Sequence, residues 1–343
     1  MPYKHLLALL LMITACGQPE ERQSNLTQLS GHALGTSYNI RYLDFDRQLH
    51  REIDSIMVNF NSMLSTYQEV SLINTINDLD TGTHMLVDTF GYFVPVFDIS
   101  KNVYRLTEGA FDPTIAPLVK AWGFGPKGRP EADTTQVDSV RKHVSFDEER
   151  VSLLARKCEF FTLQKNMAVR FDFNAVAKGY AVDVVCEYLE TFGIENYFVE
   201  IGGEVRAKGI NERDTPWRIA IDKPQDDERE FHALLYVRDR AVATSGNYRK
   251  YYEVDGVRYA HTIDPKTGYP VQHSLLSATV LAADCATADA LATAFMVLGV
   301  EKTKMLLTQP DYADVDVYLI YEDESGNLAT FISEGIREDL EEL

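Results

Sequence analysis

Several residue types and motifs are scarce in this sequence, and each scarcity excludes a class of protein. The 343 residues contain 33 lysines and arginines against 52 aspartates and glutamates, which gives a formal net charge of −19. A surface with so few positive charges repels phosphate backbones, so we expect no nucleic-acid partner. The pattern GxxxxGK(S/T) and a GxGxxG after a strand are both missing, which argues against a P-loop or Rossmann nucleotide site.

Cysteine is also scarce. The four are Cys16, Cys158, Cys186 and Cys285. Their spacing fits no CxxC metal pattern, and without Cys16 an odd number remains, so the rest cannot all pair internally. We predict that Cys158, Cys186 and Cys285 are small, mostly buried residues, rather than nucleophiles or metal ligands.

The apolar run at residues 6–13 is too short to span a bilayer as a helix. It follows Lys4 and has the layout of a secretory signal peptide. Residues 13–16, Ile-Thr-Ala-Cys, resemble a bacterial lipobox, in which the cysteine becomes the lipidated first residue; an ordinary signal peptide is the alternative. We therefore expect a lipoprotein signal peptide over residues 1–15, lipidation at Cys16 and a polar tether over residues 16–28. This predicts a membrane-anchored protein that faces the periplasm or the cell exterior.

Residues 29–335 have the composition of a well-buried domain, because 45% of the whole chain is hydrophobic. Alternating and helical apolar periods follow one another along this part. They predict an α+β class, with mixed β-sheets and packed helices in two intimate subdomains. Residues 336–343 are an acidic tail, and we expect the chain from residue 334 onward to be a solvated end.

One stretch, residues 172–183 (DFNAVAKGYAVD), links a β-like run at residues 167–173 to a helix that ends near Gly193. Such a join leaves free backbone N–H and C=O groups at its turn, and these can receive anions or metal ions. Asp172 and Lys178 place both charges at the same turn. By pattern alone, an ordinary capped helix with a surface lysine is the favoured interpretation, because such joins are common in α/β chains.

This stretch resembles the D-(L/F)-x-x-(I/V)-A-K-G-Y-A-x-D signature of the ApbE family, the FAD:protein FMN transferases. Other motifs that resemble those of the family occur in the same order: ALGT at 33–36, STY at 65–67, GAFDPT at 109–114, IGGE at 201–204, TSGNY at 244–248, HTIDPKTGYP at 261–270 and ADALATA at 288–294. Each motif is weak alone, but the ordered set is a strong signal. The resemblance extends from about residue 31 to the region of residue 299.

The resemblance implies an FAD cleft between the subdomains. It also implies transfer of FMN from FAD to a Ser or Thr hydroxyl of an acceptor protein, with release of AMP. Leu34 stands where the family usually has Met, which keeps an apolar contact for a ring. The positions that the resemblance assigns to flavin binding are Leu34, Tyr67, Ala110, Phe111, Asp112, Asp172, Lys178 and Ile263.

Asp289 and Thr293 are four residues apart in a predicted helix, so their oxygens lie on one face and suit a hard cation such as Mg²⁺. The alternative is an Asp favoured by the helix dipole and a Thr packed against the core. In the family, the equivalent residues bind Mg²⁺ together with a main-chain oxygen, which the resemblance places at Ala175. A bound cation would give Asp289 a catalytic role.

His261 opens the HTIDPKTGYP loop and is our candidate for removing the proton of the incoming hydroxyl. Two other interpretations stay open. The protein could be a metal-dependent FAD pyrophosphatase that uses water in place of the hydroxyl, or a non-catalytic flavin-binding lipoprotein.

Overall fold

An eight-stranded sheet forms the centre of the fold. The structure is a computed structural model that describes residues 25–123, 134–225, 230–247, 251–254, 257–260 and 262–343. The helices are α1 His50–Leu64, α2 Leu72–Asp78, α3 Phe93–Leu106, α4 Ala116–Ala121, α5 Val137–Arg141, α6 Ala177–Glu190, α7 Cys285–Leu298 and α8 Val300–Leu306.

The strands fall before, between and after these helices, and β6 to β13 follow one another without a described helix between them. They are β1 Leu26–Ala33, β2 Thr36–Leu43, β3 Gly82–Val87, β4 Val151–Lys157, β5 Phe160–Lys165, β6 Tyr197–Ile201, β7 Glu204–Lys208, β8 Trp217–Asp222, β9 Phe231–Val237, β10 Arg240–Gly246, β11 Tyr251–Val254, β12 Val257–Ala260, β13 Leu275–Ala282, β14 Asp316–Glu322, β15 Leu328–Ile332 and β16 Leu340–Glu342.

The central sheet has the strand order β1-β2-β6-β7-β10-β13-β14-β15, and three smaller sheets have the orders β3-β5-β4, β16-β9-β8 and β11-β12. Every pairing between the described strands is antiparallel. Helices cover the sheets, so the predicted α+β class is confirmed. Among the described residues, no helix combines the length and apolar character needed to cross a membrane.

Helix α7 is buried on several faces because its sequence, CATADALATAFMVL, is built mostly from small and apolar residues. It packs on strands β10 and β13 and on helix α6. Asp284 caps its start by accepting a hydrogen bond from the Thr287 N–H at 2.7 Å. Gly299 ends it at φ +77, as the sequence predicted for a glycine after a helix.

The run at residues 167–173, predicted as β-like, contains no strand in the structure. Its side chains do alternate in burial, because Val169, Phe171 and Phe173 are buried. No neighbouring strand pairs with it; instead the Asn77 side chain accepts from the Phe171 N–H at 2.6 Å and donates to the Phe171 C=O at 2.9 Å. A side chain therefore satisfies backbone groups that a sheet would otherwise pair.

The C-terminal residues, predicted as a solvated acidic end, are folded. Ile336 is buried, and β16 pairs with β9. Glu342 accepts hydrogen bonds from the hydroxyls of Tyr318 and Thr330. The acidic composition was misleading because the end also contains the apolar residue Leu340. Leu340 packs against a hydrophobic cluster that includes Leu235, Tyr318 and Ile336.

Two further predictions need correction. Strand β1 begins at Leu26, so the last residues of the predicted tether belong to the central sheet. Cys186 and Cys285 are buried as predicted, whereas Cys158 is exposed. Cys158 lies between β4 and β5 at φ +52, a hairpin turn whose tip faces solvent.

Candidate functional site

Helices α6 and α7 pack closely together at Gly179. A Cβ added to this glycine would lie 2.2 Å from the Cys285 carbonyl oxygen and 2.8 Å from the Asp289 Cβ. A larger residue would therefore push the helices apart. The Gly179 N–H donates to Asp289 Oδ2 at 3.1 Å. This contact fixes the α7 carboxylate against the start of α6, as the AKGYA motif requires.

Three charged side chains meet beside this contact, and we call Lys178, Glu204 and Asp289 the charged cluster. The Lys178 Nζ lies 2.7 Å from Glu204 Oε1 and 3.7 Å from Asp289 Oδ1. The two carboxylates are buried, with side-chain exposures of 5% and 3%. Glu204 Oε2 is buried and has no hydrogen-bond partner among the described residues. A lysine ammonium thus joins two carboxylates from different elements.

The ionisation of the charged cluster follows from burial and from its mutual contacts. Burial lowers the pKa of Lys178, but the carboxylates of Asp289 and Glu204 outweigh this effect and raise the pKa above its usual value. Burial raises the pKa of Glu204 to about 7, and the attraction of the Lys178 ammonium offsets only part of this effect. Lys178 therefore carries its positive charge at neutral pH.

Turns of the central sheet bring two further motifs to Lys178. Leu34 and Gly35 form the two-residue turn between β1 and β2, with φ +53 and +75, and Gly202 and Gly203 form the turn between β6 and β7. Strands β2 and β6 are neighbours, so the two turns lie at the same end of the sheet.

Gly202 lies where these motifs touch. A Cβ at this position would meet the Thr36 Cγ2 at 2.7 Å and the Lys178 Cδ at 3.3 Å. The ALGT, AKGYA and IGGE motifs therefore converge at one point. Leu34 holds a left-handed conformation that is costly for a bulky side chain, as is common where function requires a strained turn.

Asp183 makes a second contact between α6 and α7. Its carboxylate accepts from the backbone N–H groups of Cys285 and Ala286, at 3.0 and 2.8 Å, and from Arg206 at 3.0 Å. Burial raises the pKa of Asp183 to about 6, although these donors favour the charged form. Asp183 of α6 and Asp289 of α7 thus hold the two helices together, because each carboxylate binds backbone N–H groups of the other helix.

The oxygens predicted to hold Mg²⁺ come from α7 and from the segment that precedes α6. Asp289 and Thr293 are one turn apart on α7, and the Thr293 hydroxyl lies 3.4 Å from the Ser245 hydroxyl. Ala175 lies in the segment just before α6. The described residues contain no group of three or more His, Cys, Asp or Glu side chains placed for a metal. The predicted set needs only one carboxylate, with a hydroxyl and a carbonyl, and these hard oxygens suit Mg²⁺.

The predicted flavin residues of the GAFDPT motif are buried and adjoin Asp172. The Asp172 N–H donates to the Pro113 C=O at 2.7 Å. Asp112 Oδ1 accepts from both the backbone N–H and the hydroxyl of Thr114, at 2.7 and 2.6 Å. Burial nevertheless raises the pKa of Asp112 to about 6. Ala110 and Phe111 are almost fully buried, so their side chains serve packing while their backbone shapes the surface.

Other predicted residues lie on separate elements. Tyr67 is on the loop after α1 and is 66% exposed, so its ring is accessible to a partner. Ile263 is buried against Leu118, Trp122 and Val137 and forms an isolated bridge with Pro270. Asp172 Oδ1 accepts from the Asn174 N–H at 2.9 Å, an Asx turn. His261 and Cys16 lie outside the described residues, and the roles assigned to them stay predictions.

Glu204, Asp183 and Gly179 are the residues that sequence reasoning missed. All three lie in motifs that carry the family resemblance, and that was the available signal. Spacing could not show that Glu204, 26 positions after Lys178, pairs with it. The pair forms only because the sheet returns β7 to the start of α6.

Comparisons with known proteins find similar sequences along most of the chain. The sequence model of the ApbE family matches residues 34–319. An FAD:protein FMN transferase of Vibrio cholerae is 41% identical over 305 residues, which cover 86% of this chain and 87% of that protein. One of Haemophilus influenzae is 38% identical over 328 residues, 93% of this chain and 92% of that protein.

Solved structures show the same fold. The flavin transferase ApbE from Vibrio cholerae superposes with a TM-score of 0.80 at 35% identity, covering 92% of this chain and 99% of that one. The apo form of the Pseudomonas stutzeri flavinyl transferase ApbE gives 0.79 at 30% identity, covering 92% and 97%. At these identities and coverages, the similarity extends beyond the motifs to the whole described domain.

Proposed function

The chain belongs to the ApbE family of FAD:protein FMN transferases, and we propose that it moves FMN from FAD to a Ser or Thr hydroxyl of an acceptor protein. The observation that carries this proposal is the convergence of the ALGT, AKGYA, IGGE and ADALATA motifs at one point, around the charged cluster. These motifs are scattered between residues 33 and 294, so only the folded chain brings them together.

In the proposed reaction the acceptor oxygen attacks the flavin-side phosphorus of FAD. A new P–O bond to the acceptor forms, the bond to the bridging oxygen breaks, and AMP leaves with that oxygen. The hydroxyl proton must be removed as the new bond forms. His261, at the start of the HTIDPKTGYP loop, is the proposed acceptor of this proton.

Mg²⁺ is the proposed cofactor, held by the Asp289 carboxylate, the Thr293 hydroxyl and the Ala175 carbonyl. When bound, it would neutralise negative charge that develops on the diphosphate. Asp289 is suited to this role because its carboxylate is fixed by the start of α6, where the Gly179 N–H donates to Oδ2 at 3.1 Å.

The remaining predicted residues would bind and orient FAD. Leu34, at the tip of the turn between β1 and β2, and the exposed ring of Tyr67 both offer apolar area to a flat ring. Lys178 offers a positive charge near the phosphates. Asp112, Asp172 and the backbone around Phe111 shape the adjoining surface, and Ile263 supports the loop that follows His261.

Incubation of the protein with FAD, Mg²⁺ and an acceptor bearing a flavinylation site tests the proposal. We expect acceptor-linked flavin fluorescence in a denaturing gel, together with AMP. Release of FMN and AMP without labelled acceptor would identify a pyrophosphatase instead. Bound FAD with no product would indicate a non-catalytic flavin-binding protein.

His261→Ala tests the proton-transfer role. We expect the transfer rate to fall by about a hundredfold or more, the usual scale of general acid–base help. FAD affinity should change little, because the proposed ring and phosphate contacts remain. Lost affinity with normal turnover of bound FAD would make His261 a binding residue, and unchanged transfer would remove it from the mechanism.

We also propose that the protein is lipidated at Cys16 and anchored to a membrane on its extracytoplasmic face. The support is the Ile-Thr-Ala-Cys box after a short apolar run. Cys16→Ser should release the protein from the membrane fraction or leave the signal peptide uncleaved, as seen by fractionation and mass. A processed variant that fractionates with membranes as the wild type does would contradict lipid anchoring.

A further inference from the structure

In the proposed site, the Lys178 ammonium and a bound Mg²⁺ would compete for the Asp289 carboxylate. Asp289 Oδ2 is engaged by the Gly179 N–H, whereas Asp289 Oδ1 faces the Lys178 ammonium at 3.7 Å. An ammonium that closed fully onto Oδ1 would oppose a divalent cation there, because both are positive and both need the same oxygen. The lysine must therefore be kept from closing onto Asp289.

Glu204 supplies that restraint. Its Oε1 lies 2.7 Å from the Lys178 Nζ, which is 1.0 Å closer than Asp289 Oδ1 at 3.7 Å. The stem of Lys178 runs past Gly202, where a Cβ would lie 3.3 Å from its Cδ. Strand β7 begins at Glu204, directly after this turn. The Glu204 carboxylate is therefore held beside the end of the Lys178 side chain.

We infer that Glu204 is a positioning residue that holds the Lys178 ammonium away from Asp289 and so keeps Asp289 available to Mg²⁺. This inference rests on the proposed function, because it concerns the cation site of that reaction. Glu204 acts through Lys178 and is not itself a ligand of the cation in this scheme.

The inference differs in its consequences from two simpler schemes. If Glu204 only adds negative charge near the site, its removal weakens cation binding equally whether or not Lys178 is present. If Glu204 uses its unpartnered Oε2 as a ligand, removal also weakens binding in both backgrounds. Only positioning through Lys178 makes the effect depend on the lysine.

A double-mutant cycle of Glu204→Gln and Lys178→Met separates these schemes. Both replacements keep approximate length and remove one charge each. Mg²⁺ alone is titrated into the wild type, both single variants and the double variant by calorimetry, without FAD. Thermal unfolding of each variant establishes that it is folded.

We expect Glu204→Gln to weaken Mg²⁺ binding on the order of tenfold, within the range that coupled neighbours show in such cycles. In the Lys178→Met background the same change should weaken binding less than about threefold. Glu200→Gln is the matched control: Glu200 lies in the same hairpin but bonds to Asn39 and the Gly203 N–H rather than to Lys178. It should leave the affinity near that of the wild type.

An equal loss in both backgrounds would overturn the inference and leave the proposed cation site standing. Unchanged affinity in Glu204→Gln would do the same. A wild type that binds no Mg²⁺, or an Asp289→Asn variant that binds it normally, would overturn the proposed cation site and this inference with it. If Glu204→Gln does not fold, comparison of Lys178→Met with the double variant decides: a clear loss in the double variant contradicts positioning.

Discussion

Two buried regions adjoin the segment that leads into α6. One is built from aromatic side chains and the other from charged ones. On one side, Phe171 and Phe173 join Phe93, Phe97, Phe146 and Phe161 in what we call the aromatic cluster. The Phe93 and Phe161 rings stack with centroids 5.1 Å apart, and the Phe97 and Phe146 rings meet edge to face at 4.8 Å. A few residues further on, Lys178 enters the charged cluster.

The comparison teaches that burial serves two purposes in this fold. Each phenyl ring removed from water stabilises the folded state by about 1.5 to 3 kcal/mol. The ion pairs of the charged cluster add little net stability, because desolvation offsets their attraction. Their value is that charges fixed by backbone N–H groups and by one another are already in place when a ligand arrives.

Asp289→Ala should break the function of the charged cluster. We expect transfer to fall by about a thousandfold or more, since loss of the cation site removes several kcal/mol of transition-state stabilisation. Stability should fall by about 1 to 3 kcal/mol, because the buried Gly179 N–H loses its acceptor. Activity at saturating and limiting Mg²⁺, with urea unfolding, measures both effects.

Asp284→Ala is the matched control on the same helix. It removes one carboxylate and the helix cap, at a cost of about 1 kcal/mol, but no oxygen of the proposed cation site. Transfer by the folded control should stay near that of the wild type. Normal turnover by Asp289→Ala at limiting Mg²⁺ would contradict the assignment.

Phe93→Ala should produce the opposite result, a loss of stability with little loss of function. Phe93 is fully buried against Phe97, Phe161, Phe171 and Phe173, so the cavity left behind should cost about 3 to 5 kcal/mol. Transfer per folded molecule should be retained at low temperature. Phe90→Ala, at a ring that is 42% exposed, is the control and should cost about 1 kcal/mol or less.

Should Phe93→Ala abolish transfer in molecules that are fully folded, the two clusters would not be separable. Urea unfolding at several temperatures, combined with activity at the same temperatures, gives the folded fraction needed for this decision.

A smaller effect concerns a buried carboxylate that lacks an ammonium partner. Asp112 makes no ion pair among the described residues, and burial raises its pKa from 3.8 to about 6. The stability that this group contributes is present below the unfolded pKa and is lost as pH rises through the folded one. Between pH 4 and 8, wild-type stability should therefore fall relative to Asp112→Asn, by up to about 3 kcal/mol for a shift of about two units.

Asp147→Asn is the control of opposite sign. A hydrogen bond from the Ser145 hydroxyl lowers the pKa of Asp147, so its contribution is present above the unfolded pKa and lost as pH falls. Urea unfolding at pH 2, 4, 6 and 8 compares the three proteins, because the contribution of Asp147 is lost only below about pH 4. A difference between wild type and Asp112→Asn that stays constant with pH would contradict the raised pKa.

Much of the fold could be predicted from local pattern. Helix α1 follows from apolar residues at helical spacing, and the end of α7 follows from Gly299. Patterns failed where distant residues decide the outcome. The alternation at residues 167–173 predicted a strand, but Asn77 takes the place of the strand partner. The acidic end predicted solvation, but β9 offers it an edge to pair with.

The sequence by itself determined the α+β class, the family and the residue types of the proposed chemistry, because motifs and apolar periods are local properties of the chain. Tertiary structure alone decided that Lys178 pairs with Glu204 as well as Asp289, that Asp183 caps α7, and that Gly179 sets the distance between two helices. Each of these contacts joins residues distant in sequence. The physical reason is that the energy of an ion pair or a hydrogen bond changes when its two groups move by about an ångström. Only the packed sheets and helices fix the separation of those groups.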